Sequence, residues 1–92
     1  MKYAITIADS YKALVDIDIN GKGSFDGKIT SDEYGITQIE DGKIKPDGSL
    51  TGNASLGGHD AEFSATMDGD KISGDIRVGW LIHKTFDGFK TT

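Results

Sequence analysis

Cysteine is missing from this 92-residue chain, and proline and tryptophan occur once each, as Pro46 and Trp80. Without cysteine no disulfide can staple the fold. With His59 and His83 as the only histidines, no structural zinc cluster can be assembled either. A chain of this size buries roughly 60–65% of the surface its unfolded form exposes, so a single core, formed by residues 1–92 as one domain, has to hold it together. Long apolar runs are lacking too. Met1-Lys2-Tyr3-Ala4-Ile5-Thr6-Ile7-Ala8-Asp9 alternates where a secretory signal needs roughly 7–15 consecutive apolar residues, and nothing approaches the ~20 of a membrane helix. The expectation is a cytoplasmic protein that does not act at a membrane. Basic residues number 10 against 15 acidic ones, for a net charge of −5, and form no stripe along the chain, which speaks against nucleic acid as a partner.

What the chain has in quantity is glycine and alternation. Ala13, Val15, Ile17 and Ile19 fall on one side of a strand, opposite Asp16, Asp18 and Asn20. Phe25, Gly27 and Ile29 repeat the pattern, as do Leu50, Gly52, Ala54 and Leu56, then Phe63, Ala65 and Met67, then Ile72, Gly74, Ile76 and Val78. Period-two patterning of this kind marks strands with one buried face. Between the runs lie Asn20-Gly21, Asp41-Gly42, Asp47-Gly48, Gly57-Gly58 and Asp68-Gly69, dipeptides that accept positive φ and close hairpins. The spacing predicts eight strands, over 2–8, 12–20, 24–30, 34–45, 49–57, 61–68, 71–79 and 82–90, with a bulge at Asp41-Gly42 breaking the fourth. The fold class is all-β, an antiparallel up-and-down meander forming a small closed or nearly closed barrel.

An apolar-x-Gly repeat supports closure: Phe25-Asp26-Gly27, Leu50-Thr51-Gly52, Ile72-Ser73-Gly74 and Phe86-Asp87-Gly88. Glycine on the inward face of a strand permits sharp coiling, or the approach of an aromatic ring over the missing side chain. The segment Ala65-Thr66-Met67-Asp68-Gly69-Asp70-Lys71-Ile72-Ser73-Gly74-Asp75-Ile76, with Phe86-Asp87-Gly88-Phe89-Lys90, resembles the closing hairpins of small bacterial β-barrel domains similar in architecture to calycins, the lipocalin and avidin group. Trp80 is the only tryptophan, so neither the lipocalin N-terminal signature nor the avidin tryptophan set is present, and the resemblance carries no ligand.

Motifs for chemistry fail on their spacing. Asp16-Ile17-Asp18-Ile19-Asn20-Gly21 opens like a calcium loop, but Gly27 stands where the bidentate glutamate belongs and strands replace the flanking helices. Gly21, Gly23 and Gly27 do not have dinucleotide-loop spacing. Inward positions are almost free of ionisable groups, with Asp and Glu outward or in turns, so no catalytic residue, metal site or cofactor is expected. Alternation breaks in one place, Gly79-Trp80-Leu81-Ile82-His83-Lys84-Thr85-Phe86. In phase with Phe86, Trp80, Ile82 and Lys84 point inward and Leu81 and His83 outward. Either a bulge resets the phase and Trp80 caps the core, or both faces are covered and the segment is a ligand mouth or interface. Trp80, Leu81, His83 and Lys84, with Tyr34 at a strand edge, are the candidate binding or interface residues. The expected function is non-catalytic: binding of a small apolar molecule at the open end, or of a partner protein, with a homodimer as the expected assembly. The alternatives are a small barrel enzyme of isomerase or cyclase type, with Tyr34, His83 or Lys84 moving protons, or an accessory subunit of a larger enzyme. An interior cavity above ~300 Å³ with converging ionisable groups would favour the enzyme.

Overall fold

The computed structural model describes residues 1–56, 58–79 and 82–91, and for Leu56 the backbone only; the Leu56 side chain, Gly57, Trp80, Leu81 and Thr92 lie outside the described residues. Eight strands follow one another: β1 (Lys2–Ile7), β2 (Tyr11–Ile19), β3 (Phe25–Ser31), β4 (Gly35–Ile44), β5 (Leu50–Leu56), β6 (His59–Asp68), β7 (Lys71–Val78) and β8 (Ile82–Thr91). Each pairs antiparallel with the next, and β8 closes on β1 through pairs running from Lys2 and Thr91 to Ile7 and Phe86. The barrel is therefore closed and leaves no free sheet edge.

Turn chemistry sets the registers. Gly21, Gly48 and Gly69 all hold positive φ. At the β4–β5 turn the Gly48 amide donates to the Lys45 carbonyl, with Pro46 pre-set for the turn and Asp47 accepting from both the amide and the hydroxyl of Ser49. The bulge falls where the sequence placed it: Glu40 opposes Asn53 and Lys43 opposes Thr51, so β4 spends one extra residue, and Asp41 takes φ 55° to absorb it.

The interior is filled by alternating large and small side chains: Tyr3, Ile5, Val15, Ile17, Phe25, Ile29, Ile39, Leu50, Ile72, Ile76 and Phe86 interleave with Ala13, Ala54, Ala61 and Ala65. Ile19, expected inward, is 48% exposed because it sits where β2 runs out of the barrel beside the 20–24 turn. Both explanations of the inward glycines operate. A Cβ on Gly52 would come 2.8 Å from the Phe63 ring, and one on Gly42 would lie 3.0 Å from the Phe25 ring. Added at Gly74 or Gly88, it would collide with the backbone of Ser64 and Ala65, or of Ala4 and Ile5, so those positions are tight coils of the sheet. The outer face carries Lys2, Asp16, Lys28, Glu62, Arg77 and Asp87, the reverse of the apolar outer band of a membrane barrel.

Candidate functional site

An up-and-down barrel collects alternate connections at one end. Those after β1, β3, β5 and β7 emerge together, which brings Tyr34, His59, His83 and Lys84 to the same end of the molecule. They do not converge there. The β3–β4 connection lies four strands from β7–β8 whichever way the barrel is traversed, so Tyr34 stands across the mouth from His83 and Lys84. Tyr34 is 48% exposed, and its backbone amide donates to the Ser31 hydroxyl. Trp80 and Leu81 lie outside the described residues.

Lys84 keeps the phase of Phe86 but is exposed, which removes the difficulty of an inward lysine. β1 ends at Ile7, opposite Phe86, and only the Ala8 amide reaches beyond, to the Thr85 carbonyl. Past that point the β7–β8 hairpin has no β1 neighbour, and Lys84 stands in solvent at the rim. His83 is on the outer face, with Nε2 3.0 Å from Asp75 Oδ2. The two side chains are 55% and 37% exposed, so water screens the pair. Ser64 and Thr85 stand directly across from Asp75, and the His83 ring is hydrogen-bonded to that carboxylate and to neither hydroxyl. Among the described residues no three or more His, Asp or Glu side chains gather as metal ligands. Asn20, from the calcium-like run, is engaged in its own turn, donating to the Ser24 hydroxyl and accepting from the Lys22 amide.

Among the described residues the interior holds a cavity of about 20 Å³ bordered wholly by apolar side chains, including Ile17, Leu50, Phe63 and Phe86. That volume is close to the size of one water molecule, and its walls offer a water nothing to bind. The Tyr3 hydroxyl donates to Met67 Sδ at 3.2 Å. Burial, and secondarily the nearby Asp70 carboxylate, push the Tyr3 phenol above its ordinary value.

The barrel's unusual surface is on its outside, where alternation predicts polar residues. Phe89 pairs with Ala4, Ala4 with Leu14, Leu14 with Thr30, and Thr30 with Ile36. This is one uninterrupted row across β8, β1, β2, β3 and β4, with no charged member. Phe89 is 62%, Leu14 43% and Ile36 65% exposed. The row below it along the strands is charged, Lys2 pairing with Asp16 and Asp16 with Lys28. The row above contains Asp87, Thr6 and Lys12. Beside Leu14 the outer wall dips into a shallow hollow of about 410 Å³ over Ala4 and Ala13, with Lys12 and Asp32 on its rim. Sequence reading passed over this row. Its signal was present at Leu14, which shares its outward phase with Lys12, Asp16 and Asp18, and at Phe89, in phase with Asp87.

Comparisons with protein-family models, with curated proteins and with solved structures find no match to this chain.

Proposed function

We propose that this protein is a non-catalytic binding module of the cytosol whose working surface is the outer row from Phe89 to Ile36, and that its ligand is another protein. The observation that carries the reading is the row itself: five directly opposed residues on five adjacent strands, uncharged throughout, with three large apolar side chains in water. Scattered exposed apolar residues are ordinary, but a contiguous set bordered by charged rows has the make-up of an interface, apolar at its centre and polar at its rim.

The filled interior supports this reading over the alternatives. An apolar ligand, or an isomerase or cyclase substrate, needs space that a void of about 20 Å³ does not supply. The eight-stranded meander supports placing the chain beside calycin-like barrels in architecture, with the outer wall used where those barrels use the lumen.

The test is native mass spectrometry of the protein purified from its own source, alongside a variant carrying Leu14→Asp and Ile36→Asp. A companion chain retained on the wild type and lost from the variant, with melting unchanged, is the expected result. A wild type that stays a single chain in this spectrum and at millimolar protein, or that carries a bound small molecule in place of a partner chain, would overturn the proposal.

A further inference from the structure

The charges around the outer row are arranged with a symmetry that identifies the occupant. Resting on the binding reading above, we infer that the partner is a second copy of this chain, docked face to face about a two-fold axis running along the Ala4–Leu14–Thr30 row.

On β2 the successive outward residues are Lys12, Leu14 and Asp16. A two-fold axis along the row reverses strand direction in the mate, so Leu14 meets Leu14, Lys12 faces the mate's Asp16, and Asp16 faces the mate's Lys12. The neighbouring strands obey the same operation. β3 presents Lys28, Thr30 and then Asp32 just past its end, so Lys28 and Asp32 face each other in both directions, while β1 sets Lys2 against Thr6. No like charges meet on β1, β2 or β3, and the centre of the contact is Leu14 on Leu14 beside the small Ala4.

The competing two-fold arrangement, with its axis along β2, does the opposite. It stacks Lys12 on Lys12 and Asp16 on Asp16, and sets Lys2 against Lys28. Like-charge juxtaposition disfavours an interface, so the charge pattern selects the first arrangement and rejects the second. An isologous contact of this kind closes on itself as a dimer. Because the outer wall of a closed barrel is convex, the contact centres on β1, β2 and β3, with Phe89 and Ile36 at its margins. The interface is accordingly small, and its strength depends on salt.

Sedimentation equilibrium up to millimolar protein, on the wild type and on K12E and D16K, tests this. The wild type is expected to dimerise, less tightly as salt rises. Each single variant sets like charges against each other twice across the axis and should lose at least tenfold in association while remaining folded; D16K, whose lysine lies between Lys2 and Lys28 of its own chain, is also expected to melt lower. Mixing the two variants should restore the dimer, because the introduced glutamate of one chain then faces the introduced lysine of the other, while the native Asp16 and Lys12 still pair. No effect confined to a single chain predicts that recovery. A monomeric wild type at every concentration, or a mixture that stays monomeric, overturns the inference. In either event, a different companion chain lost from the Leu14→Asp, Ile36→Asp variant would leave the binding reading standing.

Discussion

Gly52 stands directly across from Phe63, and the phenyl ring occupies the space into which a Cβ at position 52 would project. The Phe25 ring likewise lies against Gly42, where a Cβ would also meet the Phe25 carbonyl, whereas Gly74, the cross-strand partner of Phe86, is hemmed in by the backbone of Ser64 and Ala65. Ring and glycine together form one packing unit at Gly52 and at Gly42. Gly52→Ala forces the Phe63 ring and the Ile39 side chain to give way, an overpacking cost of about 1–3 kcal/mol. Gly74→Ala meets the backbone of Ser64 and Ala65, which cannot rotate aside, and should cost more. Urea unfolding of the two variants is expected to rank them in that order; equal midpoints would show that the β6–β7 coil relaxes as easily as a ring.

Tyr3 provides the pH dependence. Burial and Asp70 hold its phenol above the ordinary tyrosine value of 10.0, so the folded state keeps its proton where the unfolded chain has begun to release it. The contribution is present in full below about pH 10 and is lost as pH rises through the folded value. Tyr3→Phe should remove that alkaline slope and, by giving up only a hydroxyl-to-sulfur bond, cost less than about 1 kcal/mol at neutral pH. Parallel alkaline slopes in thermal melts of wild type and variant would contradict this.

Asp18 and Asp26 face each other across β2 and β3 at the exposed end of the hairpin. Directly opposed like charges destabilise a sheet, and opposite ones contribute about 0.2–1 kcal/mol. Asp26→Lys is therefore expected to raise the urea midpoint, and the gain should shrink in high salt. A decrease would show that the carboxylate pair has a role that repulsion does not describe.

The barrel was legible because each cue had a local cause. Alternation marked the inward face from Ala13 to Ile17 and from Ile72 to Ile76; Asn20-Gly21, Asp47-Gly48 and Asp68-Gly69 marked the turns; and the spare residue at Asp41-Gly42 was visible as a bulge. Closure through Lys2–Thr91 and Ile7–Phe86 was signalled only by the coil-forming glycines. The outer row escaped notice because it is not local. Leu14, Ile36 and Phe89 are single apolar residues in three distant segments, and only the register of four hairpin and closure pairings brings them into line. Lys84 could not be placed from its phase for a related reason: the phase is inward, but the barrel wall beside it ends at Ile7.

Leu50 tests the claim that the interior is full. It is wholly buried, and its strand partners Ala65 and Ile44 line the same inner face. Leu50→Ala should cost about 2–5 kcal/mol, a large part of the ~5–15 kcal/mol stability of a small domain. The cavity left behind is apolar and should stay dry. Such a space takes up xenon or benzene, so either should raise the melting temperature of the variant in proportion to its concentration while leaving the wild type unmoved. Wild-type stabilisation by the same probes would reveal lumen space that the packing of Leu50, Phe63 and Phe86 does not show, and would return an interior ligand to consideration. Equal indifference in both proteins, with a small loss on substitution, would mean that the ring of Ile17, Ile39 and Ile76 collapses inward, and that the core tolerates repacking more readily than its filled interior implies.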